Sequence, residues 1–137
     1  MYCAEAYVTA FAEFFQAERS IIRTYRTPSL VEFALEQPLT LLDLTGSWML
    51  KVGGGPQIAT GDRAQARKWS RVFYEAFPDI DGLCSPSSLN TAWRTYALYE
   101  RAERAMPSAP ILYAPLTEAR VASYLTVAET ETGYDIV

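Results

Sequence analysis

"DRAQARKWSRVFYEAFPDIDGLCSPSS", residues 62–88, runs a helix-shaped pattern directly into a strand-shaped one. Asp62 is a good N-cap, because its short carboxylate can accept a first-turn N–H. Ala66, Trp69, Phe73, Ala76 and Phe77 recur at helical spacing and predict a buried face. Pro78 stops the helix, since its ring cannot continue it. "DIDGLCS" then predicts a short strand, with an Asp-Gly turn at its start and a serine loop at its end.

Upstream, "PLTLLDLTG" (38–46) predicts a buried strand ending in a turn, "SWML" a helical turn and "KVGGGP" a loop. Ile21, Ile22, Val31, Phe33 and Leu35 suggest short strands on either side of Pro28. A first helix is predicted from Ala4 to Glu18, with Tyr7, Val8, Phe11, Ala12 and Phe15 as its apolar stripe. Downstream, "TYALYER" (95–101) alternates like a strand. Thr117 can cap a last helix over 118–131, ending near Gly133, and "YDIV" predicts a terminal strand. The β-branched and tyrosine content of 118–131 leaves a strand open there. Helices and strands do not alternate regularly. The expected class is therefore α+β, a mixed or antiparallel sheet with flanking helices in one domain spanning 1–137, rather than a doubly wound sheet.

The totals exclude several functions. The 137 residues, half of them hydrophobic and 20% charged, suffice for one compact core. No apolar run approaches the roughly 20 residues that cross a bilayer. No basic stretch precedes an apolar core at the start, so no secretory leader is expected. Cys3 and Cys84 are too few for a disulfide framework and suit reduced thiols in the cytoplasm. A net charge of −4 argues against nucleic acid as the main partner. The chain has no histidine, which removes Ser-His-Asp and Cys-His catalysis and leaves too few ligands for zinc. A Ser-Lys dyad would have only Lys51 and Lys68 to draw on. The glycines of "KVGGGP" follow their lysine and form no phosphate loop. Arg63, Arg67 and Arg71 share one helix face, which reads as a solvated face before it reads as a phosphate or acidic-partner site.

Two polar residues stand out. Glu13 lies nearly opposite the centre of the first helix's stripe, with small residues Ala6, Ala10 and Ala17 around it. Glu5, Thr9 and Gln16 share that side, so pattern alone expects an exposed glutamate. Ser87 follows Asp-Gly and neighbours Pro86, where serine ordinarily bonds local backbone.

Several stretches together resemble the RES domain, named for its arginine, glutamate and serine. "YCAEAYVTAFAEFF" is similar to the family's strand-end tyrosine and following helix, with Tyr2 and Glu13 at the tyrosine and glutamate positions. "LTLLDLTG" resembles its "LLDL" strand. "ATGDRAQARKWSRVFYEAFPDIDGLCSPSS" resembles its run of Gly-Asp, a helix and then Asp-Gly-Ile-x-Tyr-Pro-Ser. Ser87 matches the family serine, and Ser85 falls where a tyrosine is common. "ALYERA" (97–102) and "PLTEARVASYLTVAETETGYDIV" resemble the strand, helix and strand that close the family pattern. The family's preceding segment, which supplies its arginine, is expected to be missing from a chain beginning at Met1. Arg19, Arg23 and Arg26 follow the helix and match no motif.

The resemblance implies an ADP-ribosyltransferase-like fold and a bacterial toxin paired with an Xre-type antitoxin. It implies consumption of NAD by phosphorolysis, hydrolysis or ADP-ribosyl transfer, without a metal. Nucleic acid would then be reached only through the antitoxin, and a homodimer is an open expectation. On this reading Glu13 and Ser87 are catalytic, and Tyr2, Glu13 and Ser87 bind NAD. The residue types suit the chemistry. A fixed carboxylate stabilises positive charge developing on ribose. An aromatic face holds the flat nicotinamide cation. A hydroxyl orients the substrate by donating and accepting. The alternative is a catalytically silent shortened domain that only binds protein.

Overall fold

The structure is a computed structural model describing residues 1–51 and 63–137; the side chains of Leu50 and Arg63 are not among those described. The "KVGGGP" loop beyond Lys51, the Asp62 cap, the Gly-Asp pair of the family motif and the Arg63 side chain lie outside the described residues. The chain divides into two compact units, Met1–Glu5 with Gln37–Ala105, and Ala6–Glu36 with Met106–Val137.

The first unit is built on a four-stranded mixed sheet. β1 (Tyr2–Ala4), β4 (Leu41–Asp43), β5 (Gly82–Pro86) and β6 (Arg94–Leu98) lie in the order β1-β6-β5-β4. β6 pairs antiparallel with both β1 and β5, and β4 pairs parallel with β5. Two helices accompany it, α2 (Trp48–Lys51) and α3 (Arg63–Ala76). Leu44, Met49, Phe73, Ile80 and Leu83 form the core, with Trp48, Trp69 and Ala97 packed against it. The apolar face predicted for α3 is narrower than expected. Phe73 is buried, but Ala76 is exposed and Phe77 is 38% exposed. That last turn is held from outside instead. Arg101 donates to the carbonyls of Tyr74, Phe77 and Ile80, at 3.0, 3.1 and 3.3 Å, the first of them a carbonyl of the helix's last turn.

Gly82 has a different role from the turn residue expected of Asp-Gly. It begins β5 with ordinary backbone angles, and a Cβ there would lie 2.5 Å from the Ala97 carbonyl oxygen. Glycine is needed for the close approach of β6, not for a left-handed turn. Asp81 before it is buried. Its carboxylate accepts the Thr40 N–H at 2.8 Å and pairs with Arg104 at 3.1 Å.

The second unit packs two helices against two short ladders. α1 (Tyr7–Phe14) is shorter than the predicted helix, because residues 2–4 are taken by β1 and residues after Phe15 turn toward β2. β2 (Ser20–Ile21) pairs parallel with β8 (Asp135–Ile136), and β3 (Ser29–Glu32) pairs antiparallel with β7 (Leu112–Pro115). α4 (Ala122–Thr132) follows a single 3-10 turn, Ala119–Val121. Phe11, Phe15, Ile21, Leu30, Ala114, Leu116, Val121, Leu125, Ala128 and Tyr134 make one core. Truncating a buried phenylalanine such as Phe11 costs about 3–5 kcal/mol.

α4 settles the helix-or-strand ambiguity. Thr126, Thr130 and Thr132 donate their hydroxyls to carbonyls four residues back, so threonine fits this helix. Gly133 ends it in the left-handed conformation, φ 68°, as its position predicts. Thr117 is not the cap. The 3-10 turn begins after Glu118 with no side-chain cap bond, and its first bonds are made by backbone. Between α1 and β3, Arg19, Arg26 and Thr27 take positive φ angles of 52°, 59° and 47°. Such conformations cost on the order of 1–3 kcal/mol each in residues with a Cβ.

Candidate functional site

Ser87 lies one residue past β5 and is 1% exposed. The antiparallel bonding continues to it, since its N–H donates to the Trp93 carbonyl at 2.8 Å. Its hydroxyl accepts the Leu89 N–H at 3.1 Å. The serine does serve its turn, as the local pattern predicts. It is also sealed at the end of a central strand rather than displayed on the loop, whereas Ser88 is exposed. Ser85, at the family's tyrosine position, is half-buried, and its carbonyl accepts the Thr95 hydroxyl at 3.3 Å.

Tyr2 occupies the edge strand of the same sheet, opposite Ala97, and is 61% exposed. Ala97 stands opposite Leu83, a core residue, so Tyr2 shares the apolar face's row. The register separates Tyr2 from Ser87 by two strands and four residues. At about 4.8 Å per strand and 3.3 Å per residue, their backbones stand roughly 16 Å apart. The sheet therefore does not bring these two side chains into direct contact range.

Glu13 lies in the second unit, near the end of α1, where its carbonyl accepts the Gln16 side-chain amide at 2.9 Å. The pattern expects it exposed, but it is half-buried, and Thr9 one turn earlier is 2% exposed. Thr9, on the supposed solvent side, is thus buried along with Phe11, Ala12 and Phe15 of the stripe, and Phe14 is 69% exposed.

The sheet's other face carries a polar group that the sequence reading missed. Cys3, Tyr96, Cys84 and Asp43 line up across all four strands. Beside them Arg94 donates to the Thr45 hydroxyl at 2.9 Å, with its Nη1 4.0 Å from the Cys84 sulfur. Thr45 in turn gives both its hydroxyl (2.6 Å) and its N–H (2.8 Å) to Asp43 Oδ1. These two bonds hold the Asp43 carboxyl below its usual range. Burial pushes the thiols of Cys3 and Cys84 up, so neither is a ready nucleophile at neutral pH. Burial likewise raises Tyr96. Arg94 ties β6 to the end of β4 across β5. Its signal in the sequence was a charged residue opening an alternating strand, and Asp43 was the one acid in "LTLLDLTG".

Among the described residues, no group of three or more Cys, Asp or Glu stands together to hold a metal ion. Among them, too, no helix is long and apolar enough to cross a membrane. No curated protein and no solved structure matches the chain. A family model does match, that of the RES domain, over residues 1–121, which takes in Tyr2, Glu13 and Ser87 and stops before α4. With most of its length matched and a mixed sheet flanked by helices, the chain belongs to the RES domain family.

Proposed function

We propose that this RES domain consumes NAD by breaking the bond between nicotinamide and ribose, and acts as the toxin of a cytoplasmic toxin–antitoxin pair restrained by an Xre-type antitoxin. Family membership carries this reading. Nicotinamide leaves with the electrons of the C–N bond, and positive charge develops on the ribose. Glu13, half-buried on α1, stabilises that charge and bonds a ribose hydroxyl. Ser87, fixed by its bonds to Trp93 and Leu89, orients the substrate without itself attacking. Tyr2 offers an exposed ring for the cationic nicotinamide. The attacking group is water, phosphate or a target side chain, so the missing histidine is no obstacle.

The test is incubation of the purified chain with NAD, with and without inorganic phosphate, followed by chromatography of the products. Nicotinamide release supports the reading. ADP-ribose 1″-phosphate, free ADP-ribose or modified protein then identifies the acceptor. No release under any condition, from a chain that melts cooperatively, would leave a silent protein-binding domain as the better account.

A further inference from the structure

The segment between α1 and β3 carries three arginines that the second unit does not use. Arg19, Arg23 and Arg26 are all exposed, and none forms an ion pair with a described carboxylate. The unit's remaining cation, Arg120, is already paired with Glu118 at 2.6 Å. Two of the three guanidiniums lie over aromatic rings, Arg19 at 5.8 Å from the centre of Tyr134 and Arg26 at 5.1 Å from that of Tyr25. Stacking engages the flat face of a guanidinium and steadies its in-plane N–H fork, the edge that matches a carboxylate.

The backbone is bent to present them. The Thr27 N–H reaches the Thr24 carbonyl at 3.3 Å, which closes a turn with Arg26 third in line. Arg26 and the β-branched Thr27 both sit in the left-handed region, where glycine would be free of strain. Arg19 does the same at the segment's other end. Strain gathered in one segment, together with three uncompensated cations, marks a surface built to hold something.

We propose that this turn docks a short acidic peptide of a partner protein. The charge distribution selects the class of partner. The second unit has four cations and eight carboxylates, a balance of −4, and three of those cations are in this segment. A peptide of a few carboxylates senses only the turn, because screening confines the field to about 8 Å. An extended polyanion such as nucleic acid also meets the unit's acidic remainder and is repelled. The inference does not depend on the NAD reading.

The experiment measures fluorescence anisotropy of a labelled Gly-Ser peptide carrying three consecutive glutamates on the full chain. Wild type binds, and raising the salt severalfold weakens the complex. The double variant Arg23→Gln/Arg26→Gln binds roughly four- to ninefold more weakly, at about two- to threefold per exposed ion pair. It melts at an unchanged temperature, and Arg120→Gln keeps wild-type affinity. The proposal is overturned if wild type ignores the triglutamate peptide or if the double variant binds it equally. It is also overturned if Arg120→Gln weakens binding as much, or if single-stranded DNA of equal charge binds more tightly.

Discussion

Gly82→Ala concentrates the fold argument in one methyl group. The new Cβ would lie 2.5 Å from the Ala97 carbonyl oxygen and 3.0 Å from the Leu98 Cα, both backbone atoms that cannot rotate away. An ordinary C···O approach is about 3.3 Å, so β5 and β6 must part or slide by roughly 0.8 Å. Overpacking of this kind costs about 1–3 kcal/mol. One ladder hydrogen bond stretched beyond use adds about 1 kcal/mol. The expected loss is roughly 2–4 kcal/mol, a large part of the 5–15 kcal/mol that holds a typical domain. Urea unfolding followed by tryptophan fluorescence reads it as a midpoint lower by about 1–2 M with an unchanged slope. Gly46→Ala is the control, because a Cβ there meets nothing within 4 Å. A Gly82→Ala midpoint equal to that of wild type would refute the close-approach reasoning and return Gly82 to the role of a turn residue.

Asp81→Ala removes the acceptor of the Thr40 N–H and the partner of Arg104, and is expected to cost about 1.5–3 kcal/mol in the same urea assay. Asp43→Ala should be less stable than wild type near neutral pH only. The Thr45 bonds hold the folded Asp43 carboxyl below its unfolded value of about 3.9, so their contribution is present above that value and fades as pH falls through the folded one. Stability measured against pH should show the two proteins converging in acid, and a constant gap would argue against the bonds. Cys3 and Cys84, both pushed up by burial, should react with a thiol reagent at neutral pH more slowly than glutathione; faster reaction at Cys84 would reveal an activating environment around Arg94.

Strong periodicity and terminators made the long elements legible. α3 and the Pro78 stop, the β4 strand in "LTLLDLTG", and the Gly133 end of α4 all lie where their residue types place them. The short paired elements were harder. β7, in "ILYAP", was not foreseen, because it pairs with β3, more than about eighty residues earlier, and pairing at that distance leaves little local trace. β1 was not read from pattern, and its last residue Ala4 was given to the first helix, because Tyr2–Ala4 has no period of its own and gains its shape from β6. Motif order singled out Ser87 and Glu13, but pattern misjudged Glu13's surroundings, which are half-buried. The polar side of an amphipathic helix faces water only if nothing packs there, and Thr9 shows that something does. Arg94, Thr45 and Asp43 were invisible as a set, since they meet only when three strands lie side by side.

The central claim is that the Glu13 carboxylate stabilises the ribose cation formed from NAD. Its most direct test is the initial rate of nicotinamide release by Glu13→Gln against wild type, at equal concentrations of folded protein. The amide keeps the shape and loses the charge. The account predicts a fall of at least about a hundredfold, the scale set by removing one fixed transition-state contact. An active wild type whose rate survives the substitution would contradict it.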